Sequence, residues 1–132
     1  ANYKIEKKLD NITNKRIRNA HLFDKLLKFN PNVITVKRDS NLKEVFHLYQ
    51  INVKKRDKLQ KFLIKKGVDA KVHYPHPIHL QPAAKFLKYK KGDFPNAEQI
   101  ANSTLSLPVH EFIKEQDIKY VVNLINYFYK KF

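Results

Sequence analysis

Cysteine, methionine and tryptophan are absent from the 132 residues, and glycine occurs only twice, at Gly67 and Gly92. Without cysteine the chain has no disulfide framework and no thiolate chemistry, which fits a reducing cytoplasm. With two glycines no phosphate-cradling glycine loop can be built. Apolar runs of the roughly 20 residues needed to cross a bilayer are missing. Residues Ala1 to Lys8 alternate polar and charged types with no signal-like apolar segment. Acidic residues are scarce, 12 Asp and Glu against 27 Lys and Arg, and no carboxylate pair is spaced for glycoside hydrolysis. The net charge of +15 points to an anionic partner or to a lysine-rich solvated surface. Basic residues are spread through nearly every segment, alongside abundant Asn, Ile, Phe and Tyr, so compositional bias accounts for them better than a dedicated nucleic-acid patch.

What is present is ample apolar material for one core, 42% of residues, in a chain the size of one domain. Ile5, Leu9, Ile12, Ala20, Phe23 and Leu27 recur at helical steps, and Asn30-Pro31 stops that helix. Val33 to Val36 is strand-like, and a second strand is expected over Val45 to Ile51, apolar on both faces and therefore inside a sheet. Lys54 to Lys66 returns to a helical period, closed by Gly67. Val68, Ala70, Val72 and Tyr74 alternate as a third strand. Pro75 and Pro77 then force an extended loop. Short helices are expected at Leu80 to Leu87 and from Asp93-Phe94-Pro95, the latter with Ala97, Ile100 and Ala101 on its apolar side. Thr104 to Pro108 reads as a short edge strand. The final helix, about Lys114 to Lys130, should bury Ile118, Val121, Val122, Ile125 and Phe128. The order predicts a two-layer α+β fold: a small antiparallel or mixed sheet of three to four strands, with helices on one side.

Three of the six histidines, His73, His76 and His79, crowd one loop. Their spacing invites a zinc reading, yet the prolines rule out a helix and no acid or cysteine lies among them, so no metal site is assigned. His73, Tyr74, His79 and Gln81 form the candidate binding set: imidazole, phenol and amide groups suited to sugar hydroxyls and phosphate oxygens. The competing reading leaves the histidines on backbone carbonyls and Tyr74 in the core. Ser40, Ser103 and Ser106 lack a nucleophile-elbow setting, no lysine stands out as activated, and Arg56-Asp57 reads as a helix-terminus charge arrangement. No residue is assigned a catalytic or cofactor-binding role.

Several segments occur in a fixed order: Arg16-Ile17-Arg18-Asn19-Ala20-His21-Leu22-Phe23, Val45-Phe46-His47-Leu48-Tyr49, Arg56-Asp57-Lys58-Leu59, Lys66-Gly67-Val68, His73-Tyr74-Pro75, Pro77-Ile78-His79-Leu80-Gln81, Gly92-Asp93-Phe94-Pro95-Asn96-Ala97-Glu98 and Leu105-Ser106-Leu107-Pro108. That order resembles the C-terminal region of the DegT/DnrJ/StrS sugar aminotransferases. The resemblance implies the small C-terminal domain of the aspartate aminotransferase fold type, with residues 1–30 as a linking helix and 31–132 as the domain. It implies a full-length homodimeric parent that uses pyridoxal phosphate to move an amino group, usually from glutamate, to a keto sugar on a nucleoside diphosphate. The cofactor lysine would lie in a large N-terminal domain that this chain lacks, leaving the chain inactive alone. His73 and Tyr74, then His79 and Gln81, would touch the nucleotide-linked sugar. His76 departs from a position more often apolar, and Lys114 stands where Ser or Thr caps are common. The alternatives are a basic nucleic-acid-binding module and a stand-alone sugar-nucleotide-binding domain.

Overall fold

The computed structural model describes the backbone of residues 2–132 and the side chains from residue 8 onward. Helix α1 spans Asn2–Leu27. Its helical spacing delivers Ala20, Phe23 and Leu27 into the core, whereas Leu9 is exposed. Ile5, expected on the same face, lies outside the described side chains.

Strand β1 is Val33–Thr35 and β2 is Tyr49–Val53. The sequence places the second strand at Val45 to Ile51; the structure starts it four residues later. Phe46 explains the shift, because its φ of 50° is left-handed and cannot continue an extended strand. Within β2 the burial alternates, with Tyr49, Ile51 and Val53 buried and Gln50 and Asn52 half-buried. The strand is central, as expected, but only one of its faces is apolar.

Helix α2 covers Arg56–Lys65 and ends at Gly67, whose φ of +81° is the left-handed turn that glycine accepts without steric cost. The third expected strand, Val68 to Tyr74, contracts to a single bridge between Lys71 and Ser106. Its backbone groups are taken elsewhere: Ala70 N–H turns back to Val68 O at 2.9 Å, and Gln60 donates to Ala70 O at 3.1 Å. Two short 3₁₀ turns follow, Ile78–Leu80 and Pro82–Leu87. Helix α3 is Pro95–Ser103, with Phe94 at its cap and Pro95 in the first turn, as the sequence indicates. Its apolar side is less buried than expected, since Ala101 is buried but Ile100 is 55% exposed.

Strand β3, Thr104–Leu107, is buried along its whole length. Helix α4, Glu115–Lys131, buries the five expected residues Ile118, Val121, Val122, Ile125 and Phe128. Lys114 has no oxygen to cap it, and Asp117 instead accepts the Lys114 N–H at 2.9 Å.

The sheet is antiparallel in the order β1-β2-β3, with Ile51 opposite Leu105 and Gln50 opposite Ser106. On one face Val33, Tyr49, Ile51, Val53, Leu105 and Leu107 meet α1, α2 and α4 in a continuous core. The other face carries Gln50, Asn52, Thr104 and Ser106, a polar row that the two-residue period of the strands aligns. This is the two-layer α+β arrangement the sequence indicates.

Candidate functional site

The polar row positions the loop. His73 follows the Lys71–Ser106 bridge and is held twice: Gln50 Nε2 donates to its carbonyl at 3.0 Å, and its Nδ1 lies 2.9 Å from Ser106 Oγ. The next peptide, His73–Tyr74, is cis, and Tyr74 is 74% exposed rather than in the core.

Beyond Tyr74 the chain folds over α3 to enclose an open groove of about 520 Å³, a volume usual for a small-ligand site. Its lining includes Tyr74, Ile78, Tyr89, Phe94 and Ile100. These residues stay largely exposed, an apolar patch of the kind that marks a binding surface. Among the described residues, no lysine, arginine or carboxylate lines the groove.

Besides His73, two more of the four candidate residues are tied down. Gln81 donates to the His76 carbonyl at 3.3 Å. His79 is buried, with Nε2 3.1 Å from Glu98 Oε1 and its ring 4.8 Å from that of Phe94. The same Glu98 oxygen accepts Gly92 N–H at 2.7 Å. One carboxylate thus ties the 3₁₀ turn at His79 and the turn at Gly92 to α3. Phe94 packs edge-on against Tyr89 at 4.9 Å, completing that wall. The structure therefore gathers Tyr74, His79 and Gln81 around one groove. His73 is anchored to the sheet beside it.

Sequence reasoning misses Tyr89, Phe94, Ile100 and Glu98 as builders of this groove. The one available signal is the Gly92-to-Glu98 segment, which the sequence presents as a helix start and a family marker and not as part of a site. Among the described residues, no group of three His, Cys, Asp or Glu side chains is disposed to hold a metal, and no helix is long and apolar enough to cross a membrane.

The Glu98 carboxyl is held below its ordinary value, chiefly by the Gly92 N–H, with the His79 bond adding to it and burial opposing. A depressed carboxylate contributes stability that is present above its unfolded pKa of about 4.3 and is lost as the pH falls through the folded value. The Gly92 amide resonance should therefore titrate below the ordinary glutamate range, and Glu98→Gln should flatten that titration. An unchanged titration in the variant would place the effect elsewhere.

A lysine amine is what pyridoxal phosphate needs for covalent attachment, and among the described residues none lines the groove. The residues present do not fit that cofactor, and no catalytic step is assigned to them.

The model of the DegT/DnrJ/EryC1/StrS aminotransferase family matches residues 5–126. The pleiotropic regulatory protein of Geobacillus stearothermophilus is 41% identical over 126 residues, which is 94% of this chain and 34% of that protein. The dTDP-3-amino-3,4,6-trideoxy-alpha-D-glucose transaminase of Streptomyces venezuelae is 33% identical, over 61% of this chain and 21% of its own. Among solved structures, S. venezuelae DesV in complex with a ketimine intermediate superposes with a TM-score of 0.87 at 27% identity, covering 92% of this chain and 33% of that one. A DegT/DnrJ/EryC1/StrS aminotransferase from Brucella abortus superposes at 0.84 with 26% identity, covering 96% and 33%. The chain thus spans about a third or less of the length of these relatives. With the family model matched over nearly the whole chain, this protein belongs to the DegT/DnrJ/EryC1/StrS aminotransferase family.

Proposed function

We propose that this chain is the small domain of a pyridoxal-phosphate-dependent aminotransferase that moves an amino group from glutamate to a keto deoxysugar on a nucleoside diphosphate. The observation that carries the proposal is the groove built by the Tyr74–Gln81 loop, in a chain whose fold matches one third of a solved aminotransferase of the family. The dTDP-sugar transaminase names of the relatives from S. venezuelae and Aneurinibacillus thermoaerophilus agree with the substrate class. The chain's own contribution is binding. Tyr74 offers an exposed phenol, His73 an anchored imidazole, and the apolar wall excludes water from one side of the sugar. His79 and Gln81 shape the same wall. The cofactor and its lysine belong to a large N-terminal domain, and the working enzyme is a cytoplasmic homodimer.

The test joins this chain to the product of the coding sequence immediately upstream and measures glutamate-dependent amination of a dTDP-linked keto sugar. The joined protein should turn over, while the chain alone, given pyridoxal phosphate, should show neither Schiff-base absorbance nor transamination. In the active protein Tyr74→Ala should raise KM for the sugar nucleotide about tenfold, the worth of one buried aromatic hydrogen-bonding contact. Transamination by the isolated chain, or an upstream region lacking a cofactor-lysine domain, would overturn the assignment.

A further inference from the structure

Gln50 and Ser106 sit opposite each other across β2 and β3, side by side on the polar face of the sheet. Both spend their side chains on the same residue: Gln50 on the backbone carbonyl of His73, Ser106 on its ring. Ser106 is only 4% exposed, and among the described residues its hydroxyl has no acceptor other than His73 Nδ1. A buried O–H without an acceptor is costly, so the hydroxyl donates and Nδ1 accepts. The tautomer follows, because a neutral imidazole that accepts at Nδ1 carries its proton on Nε2. Among the described residues no protein group meets Nε2.

We infer that Gln50 and Ser106 are positioning residues that fix the pose and tautomer of His73, so that its Nε2–H is presented as a neutral donor to an acceptor oxygen of the bound ligand. The ligand oxygen is a hydroxyl, carbonyl or phosphoryl group, and this assignment rests on the loop being part of the sugar-nucleotide pocket. Gln50 fixes where the ring begins, and Ser106 fixes which nitrogen faces outward. A pre-set donor loses no orientation entropy when the ligand arrives, which is how such residues raise affinity without touching it.

The first measurement needs neither sugar nor cofactor. Two-bond proton–nitrogen NMR spectra of the ¹⁵N-histidine-labelled chain should show His73, when its ring is neutral, with Nδ1 unprotonated and Nε2 protonated. Ser106→Ala should give a mixture of the two tautomers, and Ser106→Thr, which keeps the hydroxyl, should restore one. Protonated Nδ1 in the unaltered protein, or an unaltered tautomer in Ser106→Ala, overturns the inference. In the joined aminotransferase Ser106→Ala should then raise KM for the sugar nucleotide about three- to tenfold, with KM for glutamate unchanged. A changed tautomer with an unchanged KM removes His73 from the ligand and overturns the donor role, while transamination by the isolated chain would overturn the aminotransferase reading and leave the tautomer result standing.

Discussion

Phe23→Ala should cost about 3–5 kcal/mol, against the roughly 5–15 kcal/mol that holds a domain of this kind folded. Phe23 is fully buried and stacks on Tyr49 with ring centroids 5.0 Å apart. Tyr49 is itself fully buried, and its hydroxyl donates to Asp24 on α1 at 2.7 Å. Burial first, and that bond second, push the Tyr49 phenol well above its ordinary range, so it stays neutral and hydrogen-bonded through the whole neutral and mildly alkaline range. Truncating Phe23 therefore opens a cavity at the junction of α1 and the central strand. Urea denaturation should show a lower midpoint at an unchanged m-value, since the folded state loses packing and not compactness. Removing residues 1–30 should be more severe, because Ala20, Phe23 and Leu27 leave the core together. Cooperative unfolding retained by 31–132 would place α1 outside the folding unit.

The helices are legible because their apolar residues recur at a period that only a helix satisfies. The five buried positions of α4 can be named from spacing alone. Strand limits are harder, since they depend on where hydrogen-bond partners exist and not on side-chain alternation. Val45 to Leu48 has strand composition, yet Phe46 turns left-handed, with its ring beneath the Arg38 guanidinium at 4.9 Å. Val68 to Tyr74 alternates correctly and buries Val68 and Ala70, yet pairs only at Lys71. In both cases tertiary contacts override a correct local pattern.

The site divides in the same way. A loop stiffened by Pro75 and Pro77 and rich in neutral polar groups can be found in the sequence, and the family resemblance gives it a role. Which of its groups remain available cannot be found there. Tyr74 alternates with the buried Val68 and Ala70 but ends exposed; His79 lies in a motif with Gln81 but is consumed by Glu98, nineteen residues downstream. In the sequence Ser106 is only a serine without a nucleophile setting. Its position beside Gln50 is a property of register, which no single strand carries.

Arg56→Ala should destabilise the fold by about 3 kcal/mol, although its sequence setting suggests no more than a helix-terminus charge arrangement. The Arg56 side chain is only 6% exposed, although it stands in the first turn of α2. A cation there opposes the helix dipole, and adjacent Asp57, 2.5 Å from Nε, offsets it. Asp57 is 75% exposed, so this ion pair is screened and worth at most about 1 kcal/mol. More stability comes from the buried bond that Arg56 Nη1 donates to the Thr104 carbonyl at 3.1 Å. Thr104 is where α3 becomes β3, so the guanidinium fastens the core helix to the helix that walls the groove. Arg56→Met keeps the stem volume and strands the carbonyl, and should cost about 1–3 kcal/mol, whereas Asp57→Ala should cost under about 1 kcal/mol. Chemical denaturation of the three variants separates the carbonyl bond from the ion pair. Equal losses in Arg56→Met and Asp57→Ala would assign the stability to the ion pair instead of the carbonyl. If the carbonyl dominates, Arg56→Met should also quicken hydrogen exchange at α3 amides more than at α1 amides, because the break lies at the end of α3.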